Sequence, residues 1–177
     1  MGERQAPSGL AVAMVDIVYT SPGFETTFAE RLRGVVAELP KGTAELQFEK
    51  RACGSPSPLP HFSIAPSNPR SSPIEGFFVQ GEGINFSIGR ATSREIYIAN
   101  KTGNNANAEE DEFFRICQAV FTTRFSEKVV YDSRGNVIWS RIVLGVDSRK
   151  VVLGGHRIFW WLHSGKNRKQ FEYEPYY

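Results

Sequence analysis

Imidazole, thiol and carboxylate groups move protons, attack carbon and hold metals near neutral pH, and this chain of 177 residues carries the first two sparingly, with three His and two Cys. His156 and His163 are seven positions apart. On one continuous strand an odd separation turns them to opposite faces, so they cannot share a metal. His61 lies in a Pro-rich stretch and meets either of them only through tertiary folding. His163 is the candidate acid or base, because it ends an expected strand beside a basic turn. Cys117 falls on the apolar face of an expected helix, where a thiol is inert packing; Cys53, near Arg51, is the more exposed thiol but has no base beside it. Two placed carboxylates would suffice for glycoside hydrolysis. Here Glu109, Glu110, Asp111 and Glu112 read instead as helix-start charges, and Glu172 and Glu174 as part of the tail.

The sharpest local bias is electrostatic. Ser148 to Gln170 holds six basic residues, Arg149, Lys150, Arg157, Lys166, Arg168 and Lys169, and no acid. Phe159, Trp160, Trp161, Phe171, Tyr173, Tyr176 and Tyr177 lie within or just beyond it. Cations beside stacking rings suit a phosphorylated ligand or single-stranded nucleic acid. Arg157, Trp161, His163, Lys166 and Arg168 are therefore the candidate ligand-binding residues. Trp160 and Trp161, adjacent on an expected strand, point to opposite faces, which assigns one of them to the core. The competing reading is a buried strand flanked by solvated cations, with the tail packed on the body.

The familiar catalytic signatures are missing from the sequence. Gly165-Lys166 would need a glycine at position 160 to open a P-loop, and Trp160 stands there. His-Glu-x-x-His, Cys-x-x-Cys and Gly-x-Ser-x-Gly do not occur. Gly81-Glu82-Gly83 sits between two expected strands, which makes it a hairpin turn and not a dinucleotide loop. No metal and no cofactor is expected. Two cysteines fall far short of a disulfide scaffold, and the apolar run Leu10 to Val15 is broken by Asp16, so the expected setting is the reducing cytoplasm. No apolar run approaches the roughly 20 residues of a bilayer span, so no membrane is expected. The formal charge of +2 does not by itself make a polyanion binder.

The elements that must position these groups follow from periodicity. Leu10 to Tyr19 reads as a first strand. Ser21-Pro22 then caps a helix whose apolar face is Phe24, Phe28, Leu32, Val35, Val36 and Leu39, stopped by Pro40 and Gly42. Ala44, Leu46 and Phe48 alternate with polar residues as a half-buried strand. From Ser55 to Pro73, 12 of 19 residues are Ser or Pro. That composition predicts an extended surface loop over residues 52–73, docked through Phe62 and Ile64, because proline cannot donate to a ladder. A meander follows, with strands at Glu75 to Gln80, Ile84 to Ile88 and Arg94 to Ala99. The second helix is expected from Glu109 to about Arg124, burying Phe113, Ile116, Cys117 and Val120.

Val129 to Tyr131 and Val137 to Leu144 form a hairpin about Asp132-Ser133-Arg134-Gly135-Asn136. The run Tyr131 to Asn136 is similar to the turn of the YD repeats of large secreted bacterial toxins. It occurs once, and a repeat architecture needs several copies, so nothing of that family is carried over. Val151 to Leu153 and Arg157 to His163 complete the strands, before a basic turn at Gly165 to Lys169 and an aromatic C-terminal tail at 170–177.

The expected architecture is a single α+β domain over residues 1–177, with a mostly antiparallel, strongly bent sheet of about eight strands packed with two helices. The leading functional expectation is a small intracellular binding or interaction protein, accessory or immunity-like, that offers the Ser/Pro loop and aromatic tail to a protein partner. The alternative is a small enzyme or ligand-binding domain that takes a phosphorylated or nucleic-acid ligand on the basic and aromatic C-terminal third.

Overall fold

The computed structural model describes residues 24–51, 59–79, 83–97, 104–146, 149–154 and 167–177. The fold is α+β with antiparallel sheets. Helix α1 (Phe24–Ala37) precedes five strands, β1 (Ala44–Arg51), β2 (Leu59–Pro66), β3 (Ile74–Val79), β4 (Gly83–Ile88) and β5 (Thr92–Tyr97). Helix α2 (Asn104–Thr122) then leads to β6 (Phe125–Tyr131), β7 (Val137–Val146), β8 (Arg149–Leu153) and β9 (Asn167–Tyr173). The strands form two sheets, β1-β2-β3-β4-β5 and β8-β7-β6-β9. The expected single bent sheet of about eight strands is thus nine described strands divided between two sheets. The expected strands at Leu10 to Tyr19 and Arg157 to His163 lie outside the described residues.

One apolar core serves both sheets. Phe28 of α1 packs against Phe62, Phe78, Phe113 and Phe114 with ring centroids 5.1 to 5.9 Å apart, spacings at which tilted and edge-on aromatic pairs attract. Ile116, Cys117, Val120 and Phe121 of α2 meet Ile142, Leu144 and Val146 of β7 in the same cluster. Cys117 is fully buried and burial pushes its thiol far above the ordinary range, which agrees with an inert core cysteine.

Three expectations are corrected. The Ser/Pro stretch 52–73 is not one surface loop, because Leu59–Pro66 is a full strand with Phe62 and Ile64 in the core. Prolines are accommodated because the ladder to β3 spans only His61 to Ile64, between Pro60 and Pro66. The second helix begins at Asn104, so Glu109 to Glu112 are not its first turn. Those acids answer cations: Arg31 reaches Glu110 at 3.1 Å and also Asp111, while Arg94 binds Glu112 in a two-point fork at 3.0 and 3.2 Å. The C-terminal tail is not a free aromatic surface as a whole, since Asn167–Tyr173 pairs with β6 and Tyr173 and Tyr176 are buried, which leaves Tyr177 exposed. Tyr176 donates from its hydroxyl to Ser72 O at 2.6 Å and from its amide to Phe121 O at 2.8 Å, strapping the C-terminus across both sheet and helix.

The hairpin at Asp132 forms as expected. Asp132 N donates to Asn136 O, Gly135 N donates to Asp132 O, and Gly135 takes a φ of 85° in the left-handed region where glycine carries no Cβ penalty.

Candidate functional site

Strict alternation along β7 builds the second sheet's two faces. Ile138, Ser140, Ile142, Leu144 and Val146 are buried, while Arg141, Val143 and Gly145 are exposed and Trp139 is half-buried. Residues directly opposite in an antiparallel pair share a face. Lys128 of β6 stands opposite both Arg141 and Gln170, and Val130 stands opposite both Trp139 and Arg168. Val143 pairs with Val152, and Gly145 with Lys150. Lys128, Arg141, Lys150 and Arg168 therefore emerge on one outer face, around the apolar Val143–Val152 pair and Trp139. The one carboxylate of β9 on that face, Glu172, accepts from Gln170 Nε2 at 2.5 Å. A shallow groove of about 450 Å3 runs over Lys128, Trp139, Arg168, Lys169 and Gln170.

Of the five sequence-derived binding residues, Arg168 stands on this face, at the edge of the groove. Arg157, Trp161, His163 and Lys166 lie outside the described residues, as do His156 and Cys53. The expected basic turn at Gly165 to Lys169 is strand from Asn167 onward, and that strand carries Arg168 beside β6. Lys128, Trp139 and Arg141 were not selected from the sequence. Their signal was present in the alternation Trp139, Arg141, Val143, but a count of charge along the chain does not see cations brought together by strand register.

The inner side of the same sheet carries a different polar device. Glu127 of β6 is fully buried and accepts four hydrogen bonds, from Arg90 N at 2.8 Å, Ala91 N at 2.9 Å, Thr92 Oγ1 at 2.8 Å and Tyr173 Oη at 2.9 Å. Three of those donors belong to the turn between β4 and β5 and its edge, so a carboxylate of the second sheet holds a turn of the first. Successive amides pointing at one anion make an anion-binding concavity. Gly89 opens it with a φ of 76°, and a Cβ there would stand 2.5 Å from Glu127 Oε2. Burial and the bond to Glu127 push the Tyr173 phenol far above its ordinary value, so it stays a donor. Ser140 Oγ adds a bond to Ala91 O at 3.1 Å. With its four donors satisfied, Glu127 is a joint between the sheets.

His61 is the contrasting case. Its register partners on β1 and β3 are Glu49 and Phe77, which places it on the side of the first sheet away from Phe62 and Ile64. The ring is fully buried against Phe77 at 4.6 Å, yet among the described residues Nδ1 has no hydrogen-bond partner. Glu49 Oε1 stands 3.4 Å from Nδ1, Glu75 Oε2 3.9 Å from Nε2, and Arg51 Nη1 3.5 Å from Nε2. Burial pushes the imidazole below its ordinary 6.5 and the Arg51 charge pushes the same way, against the pull of Glu75 and Glu49.

Among the described residues no group of three His, Cys, Asp or Glu is placed to hold a metal ion. No helix among them is long and apolar enough to cross a membrane. No protein-family model, curated protein or solved structure matches this chain.

Proposed function

We propose that this chain is a binding protein of the cytoplasm that docks an acidic protein surface on the outer face of its second sheet. One observation carries the reading: cross-strand register gathers Lys128, Arg141, Lys150 and Arg168 around the exposed Val143–Val152 pair. Cations around an apolar centre match the general anatomy of a protein interface, with desolvated contacts in the middle and charges at the rim that speed encounter and select partners. A single-strand nucleic-acid platform would instead set several rings in line for successive bases, and the groove on this face is lined by one described aromatic, the half-buried Trp139. The protein-partner role anticipated from the sequence is kept, and its surface moves from the Ser/Pro stretch and the tail to this face.

The test uses poly-L-glutamate and single-stranded oligothymidylate as probes. Wild-type protein is expected to bind the acidic polypeptide with an affinity that falls as salt rises. The triple variant K128E/R141E/R168E is expected to bind at least roughly tenfold more weakly, since three reversed charges face the probe. Tighter binding of oligothymidylate with a steep salt slope transfers the site to nucleic acid, and equal binding by wild type and variant removes the face from consideration.

A further inference from the structure

A second cationic site lies on the opposite side of the same sheet, where the end of the β7–β8 pair meets α2. Arg149 pairs in register with Val146, and Leu144 with Val151, so Arg149 and Val151 belong to the inner face that looks toward the helix. There they line a cleft of about 440 Å3 together with Glu112, Arg115 and Val146. Two arginines, one from each wall, thus line one small space, and Arg115 also borders a neighbouring cavity.

Among the described residues neither Arg115 nor Arg149 has an ion pair or hydrogen bond from its side chain, in contrast to Arg31, Arg70 and Arg94, which each hold a carboxylate. Glu112, the one carboxylate among the described residues that line the cleft, has both oxygens engaged by Arg94 at 3.0 and 3.2 Å, and that pairing offsets its repulsion of a second anion. Among the described residues the remaining lining is Val146 and Val151, one buried and one half-buried. Guanidinium groups meet phosphate oxygens through planar, paired N–H donors, which an ammonium cannot reproduce.

We infer that this cleft binds a small phosphate monoester, its phosphoryl group between Arg115 and Arg149 and its apolar body against Val146 and Val151. The cleft is distinct from the outer face, because Lys150 and Val152 alternate to the other side of β8. The inference does not depend on the docking role proposed above.

Titration calorimetry with inorganic phosphate and with phenyl phosphate tests it. Both arginines are exposed, so their replacement leaves the fold intact, and unchanged thermal unfolding of each unliganded variant checks this. Saturable binding is expected, tighter for phenyl phosphate than for phosphate alone because of the apolar walls. The double variant R115A/R149A is expected to lose roughly tenfold or more in affinity, and R115K/R149K to recover only part of it. The outer-face variant K128E/R141E/R168E is expected to bind phenyl phosphate as wild type does. Absence of saturable binding overturns the inference. So does binding that R115A/R149A leaves unchanged, or that the outer-face variant abolishes while R115A/R149A does not.

Discussion

Glu127 of the second sheet and His61 of the first are both fully buried, yet their neighbours serve them in opposite ways. The carboxylate has a donor for each bond it accepts, two backbone amides and two hydroxyls, all within 2.9 Å. The imidazole has acids and a guanidinium nearby, but none stands in hydrogen-bonding geometry to Nδ1. Burying a charge is tolerable when the protein replaces every water it removes, and burying a polar atom without replacement is a cost carried by the rest of the fold. Glu127 therefore joins two sheets, and His61 is a point where stability depends on protonation.

The largest expected effect is at the joint. Replacing Glu127→Ala leaves Arg90 N, Ala91 N and the Thr92 and Tyr173 hydroxyls without their acceptor, and is expected to cost roughly 3 kcal/mol or more in denaturant unfolding. A loss below about 1 kcal/mol would show that the turn between β4 and β5 is held by packing instead. Next comes Gly89→Ala, which combines a φ of 76° with a Cβ 2.5 Å from Glu127 Oε2 and 2.9 Å from Tyr173 Oη. Strain and displacement together are expected to destabilise by about 1–3 kcal/mol, read as a lower Tm, and an unchanged Tm would contradict the close approach.

The smallest effect belongs to His61 and is read against pH. Its folded-state pKa lies below the ordinary 6.5, so between those two values the unfolded chain binds more protons and acid favours unfolding. Wild-type stability is expected to fall as pH drops through about 6.5, with the slope vanishing once the folded-state imidazole is itself protonated. His61→Gln is expected to lose that component of the slope. If the two proteins keep parallel pH profiles from neutrality downward, the imidazole is not the source of the acid sensitivity.

Much of this was readable in advance, for identifiable reasons. Phe28 and Leu32, and Phe113, Ile116, Cys117 and Val120, recur at helical spacing, and both sets lie in the core. The Asp132 to Asn136 hairpin depends on a short polar side chain and a left-handed glycine within five residues, so local chemistry suffices to specify it. The misreading of Leu59 to Pro66 has a physical source: prolines forbid a ladder only where their missing N–H is needed, and strand pairing, not composition, decides where that is. The same holds for Glu109 to Glu112, whose partners Arg31 and Arg94 come from α1 and β5.

Sequence alone determined what could be written in local periodicity: an α+β chain, two amphipathic helices, an inert Cys117, and a C-terminal third rich in cations. Only the tertiary structure decided which side chains share a surface. Lys128 and Arg168 are 40 positions apart in the chain yet stand on one face, because β9 pairs with β6 and sets Arg168 beside Val130, two residues on from Lys128. Glu127 looks like any strand carboxylate until the turn at Gly89 brings two amides and a hydroxyl to it. Periodicity is a property of neighbours along the chain, whereas a binding face or a buried joint depends on register between strands, and long-range pairing leaves no trace in a local window.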